Sequence, residues 1–449
     1  MNAFRYLVFL CVTDLIAAPV LSSSITTGLL TAPMSPSNIT TANLTQADLL
    51  QGAVFGNATK GPDNNGENEE GMSAANDNSQ KLFKTIESHI TGSKSIILLQ
   101  EAEMQRRKSH IENVCSSKKA LIHVHTDSRS KLLINRRRKI SMCYVAKAGC
   151  TFWKRIFLKL QENQPERPDQ FWFSVHKKFV HNSVIDNLQA MTFDQSFQFL
   201  KSSKKILFVR NPFSRLFSAY LDKFVLSDGW NPIGTILIRK LRPNPGPVSL
   251  KCGHDITFNE FLKFVWTFRN SSSEGFAEHW LPASKLCNPC SIDFDYVGKQ
   301  ETFGADLDFV LTQLKLRDEL SVNVTKDSVA LTSMAQSTSL MWTNLLNSDI
   351  QCQTAVDKLS RLWNAFVAQG FLPSGVILPW RNHKTVSMSE FLSFVQRTYK
   401  KQNLTEKTFI HRRRDALLAA YNSIPAQTLD NIRYMFSMDF ALFDYSIWP

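Results

Sequence analysis

Arg210 to Phe224 reads R-N-P-F-S-R-L-F-S-A-Y-L-D-K-F and follows the apolar run Ile206-Leu207-Phe208-Val209 without a gap. Such a junction predicts a strand that turns at once into a helix. Asn211 suits the N-cap, and Pro212 suits the first helical position, where its missing N–H costs nothing. Phe213, Leu216, Phe217, Tyr220, Leu221 and Phe224 recur at the i, i+3, i+4 spacing of one buried face, which leaves Ser214 and Ser218 together on another. The Arg210 guanidinium at the strand end, free N–H groups at the helix start and the Ser218 hydroxyl are the parts of a grip for a phosphate. Apolar stripes also occur in any core helix, so this segment alone leaves a purely structural unit open.

A second unit has the same design. Ile140 to Val145 predicts a short strand, Ala146-Lys147-Ala148-Gly149-Cys150-Thr151 a loop, and the stripe Trp153, Ile156, Phe157 and Leu160 a helix. A small-residue loop bearing one lysine, before a helix start bearing a threonine, is suited to surround an anion with backbone N–H groups and a point charge. The Walker pattern G-x-x-x-x-G-K-[ST] is absent, because the lysine precedes the glycine. ATP is therefore not the expected ligand, and a nucleotide kinase is disfavoured.

The segments C-Y-V-A-K-A-G-C-T-F-W-K-R and L-F-V-R-N-P-F-S-R-L-F-S-A-Y-L-D-K-F resemble the 5′-phosphosulfate and 3′-phosphate binding motifs of the Golgi carbohydrate sulfotransferases. The branch is that of the chondroitin/dermatan 4-O-sulfotransferases and the HNK-1 sulfotransferase. Downstream, I-T-F-N-E-F-L-K-F, E-G-F-A-E-H-W, L-C-N-P-C, F-D-Y-V-G-K-Q-E-T and D-F-A-L-F-D-Y-S are similar in order and spacing to family segments. The resemblance runs from about residue 130 to 449. Ala146, Phe152, Asn211 and Ser214 depart from the family's usual proline, asparagine, acidic residue and glutamate. The resemblance implies an α/β fold: one sulfotransferase-type domain with a mainly parallel central sheet and two phosphate cradles, preceded by a disordered stem. It implies 3′-phosphoadenosine 5′-phosphosulfate (PAPS) as co-substrate, held by Lys147, Ala148, Gly149, Cys150, Thr151, Phe152 and Trp153 together with Arg210 and Ser218. The implied reaction moves a sulfuryl group to a glycan hydroxyl, with the 4-OH of GalNAc in chondroitin/dermatan-like chains as the family's commonest acceptor. A catalytically silent, secreted glycosaminoglycan-binding protein is the competing reading.

With 449 residues, 43% of them hydrophobic, the chain has ample material for a large core, and its net charge of +13 favours an anionic partner. The basic run Arg136-Arg137-Arg138-Lys139 is expected as a charged rim just before the first strand. Tyr6 to Leu21 is mostly apolar but short, and Asp14 and Pro19 interrupt it, so it reads as a signal peptide or a short signal anchor. The family implies a type II Golgi membrane anchor; cleavage after Ala17-Ala18 would release a secreted protein. Sequons at Asn38, Asn43, Asn57, Asn270, Asn323 and Asn403 agree with luminal entry and argue against a nucleic-acid partner. The expected organisation is a signal segment over 1–21, a disordered glycosylated stem over 22–80, a helical linker over 81–129 in which Gly92 is a possible break, and a catalytic domain over 130–449.

Of the eight cysteines, Cys287 and Cys290 have zinc-like spacing but no partner pair at ribbon distance, so no metal is expected. In an oxidising lumen Cys252, Cys287, Cys290 and Cys352 are expected to form two bridges, in any of three connectivities. Cys143 lies in the first predicted strand, and Cys150 reads as a small packed residue rather than a reactive thiol.

Sulfuryl transfer builds negative charge on the departing phosphate bridge, which calls for a cation and aligned N–H donors. Lys147 is the expected cation, with Lys154 and Arg155 as weaker candidates. The attacking hydroxyl needs a proton acceptor, for which His181 and His279 are the two candidates ahead of His176.

Overall fold

The computed structural model describes residues 74–117, 128–161, 175–226, 233–269, 277–320, 325–346, 352–380 and 386–449. The expected signal segment, nearly all of the expected stem and five of the six sequons lie outside them. Asn403, the sixth, is exposed in a turn at φ 44°.

Four strands form one sheet in the order β1 (Leu132–Asn135), β2 (Ile140–Cys143), β3 (Lys204–Val209) and β4 (Tyr296–Lys299). β1 runs antiparallel to β2, while β2, β3 and β4 are parallel, with Ile140 opposite Lys204 and Ile206 opposite Tyr296. The mainly parallel α/β sheet expected from the resemblance is therefore present. The basic run does not precede the first strand. Arg136 to Lys139 form the exposed turn of the β1–β2 hairpin, with Lys139 at φ 51°, because the apolar Leu132–Ile134 stretch pairs back onto β2.

Alternation along the strands sends side chains to two covered faces. Met142, Ile206 and Phe208 pack with Trp153, Ile156 and Phe157 of the Cys150–Gln161 helix and with Leu307 and Val310 of the Phe303–Gln313 helix. Leu207, Val209 and Val297 face the other way, toward Leu286, Cys287, Leu442 and Phe443. Gly298 in β4 has no room for a side chain, since a Cβ there would lie 2.4 Å from the Phe208 ring.

A single helix, Ala74–Ser117, covers residues 81–117 of the expected helical linker and passes through Gly92 without interruption. Its C-terminal half is docked on the domain: Met104 enters one core layer and Ile111 the other. Arg107 donates to the Val297 carbonyl (3.0 Å) on the free edge of β4 and to buried Asp306 (2.7 Å). Asp306 also accepts from the Lys299 N–H and the Thr302 hydroxyl, each at 2.7 Å. An edge that would otherwise present open carbonyls is thus sealed by a guanidinium.

The disulfides differ from expectation. Cys252 pairs with Cys352, but Cys287 pairs with Cys143 of β2 and Cys290 with Cys115 of the long helix. The short Ala283–Cys287 helix lies against the sheet and the turn after it against the long helix, so Cys287 and Cys290 meet different neighbours, and both sulfurs of the zinc-like pair are used in bridges. Two further apolar clusters are helical, one around Phe213, Phe261, Trp280 and Tyr421, the other around Leu362, Phe366, Phe391 and Val395.

Candidate active site

Because β2 and β3 are parallel, the loops leaving their carboxyl ends open on the same sheet edge. In the first loop Lys147 (φ 70°) and Gly149 (φ 81°) are left-handed, and a Cβ on Gly149 would sit 2.6 Å from the Phe303 ring. Glycine is required by both torsion and space. The Phe152 and Trp153 N–H groups close on the Gly149 carbonyl at 3.0 and 3.2 Å. The N–H groups of Gly149, Cys150 and Thr151 meet no acceptor among the described residues, which leaves the loop as an open anion cradle. Ala148 and Cys150 are buried beneath it, and Cys150 is a free thiol packed in the core. The Trp153 and Phe152 rings pack inward, against Phe208 and Phe303 respectively.

The second unit begins as expected, with Asn211 as N-cap and Pro212 opening the Pro212–Tyr220 helix. Its helix start is not free, however. The Asn211 side chain accepts from the Phe213 and Ser214 N–H groups at 3.0 and 3.2 Å, and the Asn211 carbonyl accepts from the Arg215 N–H. A residue that caps well occupies the donors an anion would use. Arg210 instead reaches across to the first cradle and donates to the Lys147 carbonyl at 3.1 Å. Arg215, fully buried, donates to the carbonyls of Ala146 (2.9 Å), Leu281 (2.6 Å) and Glu278 (3.0 Å). The two loops and the 278–281 segment are thereby tied into one unit. The Ser218 hydroxyl is half-buried one turn beyond Ser214 and makes no hydrogen bond among the described residues.

At its end the helix widens into a π-turn, Leu221–Val225, closed by a bond from the Leu226 N–H to the Leu221 carbonyl (2.9 Å). Such turns are frequent at functional sites. This one carries Asp222, which gathers three ammonium groups: Lys177 at 2.9 Å, Lys147 at 3.2 Å and Lys223 at 4.0 Å. Burial raises the Asp222 carboxyl, but the three lysines outweigh it and hold the group well below the usual range. Burial pushes the Lys147 ammonium down, with Asp222 opposing.

Both candidate histidines adjoin this cluster. His181 Nε2 lies 3.0 Å from the Thr151 hydroxyl, and its Nδ1 lies 3.5 Å from the Lys154 ammonium. An ammonium only donates, so Nδ1 accepts and Nε2 carries the proton toward Thr151. Burial and then the charges of Lys154 and Lys147 push His181 down to about 4. His279 is pushed down to about 2 by burial, then by Lys223 and Lys147, and its Nδ1 is buried without a partner. His176 is the N-cap of the Lys177–Asn182 helix, accepting from the Lys178 N–H at 3.2 Å. Arg155 donates to the Val175 carbonyl.

Asp222, Lys177, Arg215 and Glu301 were not singled out by the sequence. Glu301 accepts from the Asn211 N–H and from the Tyr445 hydroxyl, each at 2.9 Å, so the F-D-Y-V-G-K-Q-E-T and D-F-A-L-F-D-Y-S segments meet at the second loop. Asp222 had a legible signal: it follows Ser214 and Ser218 at i+4 steps on one face.

Among known proteins, the profile described as the Sulfotransferase family matches residues 130–365. Carbohydrate sulfotransferase 11 of Rattus norvegicus is 32% identical over 214 residues, 46% of this chain and 60% of that protein. Human carbohydrate sulfotransferase 8 is 31% identical over 233 residues, covering 50% and 52%. Human carbohydrate sulfotransferase 14 is 33% identical over 181 residues, covering 40% and 45%. The alignment thus spans about half the length of these relatives. No solved structure matches the chain.

Proposed function

The chain belongs to the sulfotransferase family, and from that premise we propose that it is a PAPS-dependent carbohydrate O-sulfotransferase acting on an acidic glycan. The observation that carries this reading is the cross-tie of the two cradles, in which the Arg210 guanidinium donates to the carbonyl of Lys147 itself. A ligand with phosphate groups at both ends of a nucleoside would meet a lysine-bearing loop at one end and an arginine-bearing loop at the other. The residues fit such a donor: open N–H groups at Gly149 to Thr151, a half-buried lysine, and a half-buried arginine that forms no ion pair among the described residues. Bound there, the donor supplies the sulfuryl group.

Lys147 and the loop N–H groups would hold the phosphate oxygens on which negative charge grows as the bond to sulfur breaks. Arg210 and Ser218 would hold the 3′-phosphate. His279, whose buried Nδ1 has no partner, would take the hydroxyl proton once the glycan reaches it. His181, engaged by Thr151 and Lys154, would instead orient the threonine. The acceptor assigned is the 4-OH of GalNAc in chondroitin/dermatan-like chains, after the family resemblance, and the location assigned is the Golgi lumen behind an N-terminal anchor.

The test is transfer of labelled sulfate from PAPS to a panel of defined glycans. Lys147→Ala is expected to lower kcat by about 10²- to 10³-fold, the scale for removing one preorganised donor. An unchanged kcat in the folded variant removes Lys147 from the mechanism, and no transfer to any acidic glycan by the wild type defeats the reading.

A further inference from the structure

The Glu406–Asn422 helix carries a basic run, Arg412-Arg413-Arg414, whose members face different ways. Arg412 donates to the Gln402 side chain at 2.5 Å, and Arg414 is exposed. Arg413 lies on the inward face, since Leu417 and Tyr421 follow it at i+4 and i+8 and both pack in the apolar cluster around Phe213. The Tyr421 hydroxyl donates to the Phe213 carbonyl at 3.0 Å, which pins this helix to the one that starts just after Arg210. Gly370 (φ 82°) lets the helix approach closely: a Cβ there would stand 2.7 Å from Arg413 Cγ, so the stem of Arg413 is confined. Its guanidinium rests 5.2 Å from the Phe409 ring centroid.

Arg413 and Arg210 are electrostatic neighbours. Burial, and then the charge of Arg413, pushes Arg210 down to about 9, and burial pushes Arg413 down as well. Glu301 is the acidic group near both, yet its oxygens are taken by the Asn211 N–H and the Tyr445 hydroxyl. Among the described residues Arg413 makes no hydrogen bond, and Arg210 makes one, to a neutral carbonyl. Both arginines are half-buried, and charges withdrawn from water are ordinarily paired. Two neighbouring guanidiniums with ten N–H donors between them and no carboxylate to receive them form a site that a dianion completes.

We propose that Arg413 is a second arginine of the donor site, and that Arg210 and Arg413 together clamp a phosphomonoester dianion. Resting on the donor reading above, that dianion is the 3′-phosphate, the group that separates this donor from an ordinary adenylate. The C-terminal helices thus supply a ligand contact from beyond residue 365, where the family profile ends.

Calorimetry on the full chain with two probes tests this: 3′-phosphoadenosine 5′-phosphate and adenosine 5′-monophosphate. Wild type is expected to prefer the bisphosphate. Arg413→Met, which keeps the stem packed on Phe409 and Gly370, is expected to weaken the bisphosphate by about 10- to 100-fold, the loss expected for hydrogen bonds to a charged group, with little change for the monophosphate. Arg413→Gln gives the same readout should the methionine variant fail to fold. A folded variant that keeps the wild-type preference overturns the clamp while leaving the donor reading intact. Equal binding of the two nucleotides by wild type overturns both.

Discussion

Asp222→Asn is the most informative single substitution in this site, because it removes one charge and almost no volume. In the native protein Asp222 stands 2.9 Å from Lys177 and 3.2 Å from Lys147, with about a fifth of either Lys147 or Asp222 exposed. Breaking a buried pair of this kind costs ~3–5 kcal/mol. The same scale follows from the lysines alone: two ammonium charges ~6 Å apart at an effective dielectric of ~20 repel by ~3 kcal/mol. For the compact unit Ala75–Pro449 the unfolding entropy is about 0.8 kcal/mol/K, so Tm is expected to fall by about 4–6 °C. The sign with pH is defined. The folded Asp222 pKa lies well below 3.8, so its contribution is present above about pH 4 and lost as pH falls through the folded value. The gap between wild type and variant should therefore be flat from pH 5 to 8. It should narrow at alkaline pH as Lys147, whose pKa is lowered, sheds its proton first. Inorganic sulfate, a replacement counter-ion, should raise the Tm of the variant more than that of wild type. Thermal melts over a pH and sulfate series measure all of this. An unchanged Tm, or no extra response to sulfate, refutes the account of Asp222 as the internal anion of this site.

Arg107→Met is expected to destabilise by about 3–5 kcal/mol in denaturant melts, because it leaves fully buried Asp306 without its cation and reopens the β4 edge. Gly149→Ala should cost about 1–3 kcal/mol in backbone strain alone, with a further cost from the 2.6 Å approach to Phe303, and weaken nucleotide binding in the same calorimetric assay. The His181 ring is exposed, yet partial desolvation and the charges of Lys154 and Lys147 push its folded pKa down to about 4 from 6.5. Its stabilising contribution is present above pH 6.5 and declines as pH falls toward 4. Solvent screening at this exposed ring keeps the decline modest, so His181→Gln should lose slightly less stability than wild type between pH 7.5 and 5.

Local pattern was enough to read the two strand–loop–helix units. A proline at N1, an asparagine cap and an i, i+3, i+4 stripe are conditions on neighbouring residues, and the Pro212–Tyr220 helix meets each of them. The loop bearing Lys147 and the strand end bearing Arg210 could be placed for the same reason, since each is built by consecutive backbone, whereas the left-handed torsion of Gly149 came only with the structure. What neighbours do not specify is which distant groups share a site. The cap that marked the second helix also consumed its donors, a competition visible only once Asn211 had a rotamer. The set of four cysteines expected to pair among themselves was incomplete, because pairing depends on which helix lies on which sheet face: Cys287 reached Cys143 of β2 and Cys290 reached Cys115 of the long helix. Lys177, Asp222, Glu301 and Arg413 come from four separate segments, and their meeting at the carboxyl edge of the sheet is set by tertiary packing. Charge placement in a buried site is a long-range property: an isolated lysine or arginine is solvated wherever it stands in the chain, and only folding decides which of them lose water together.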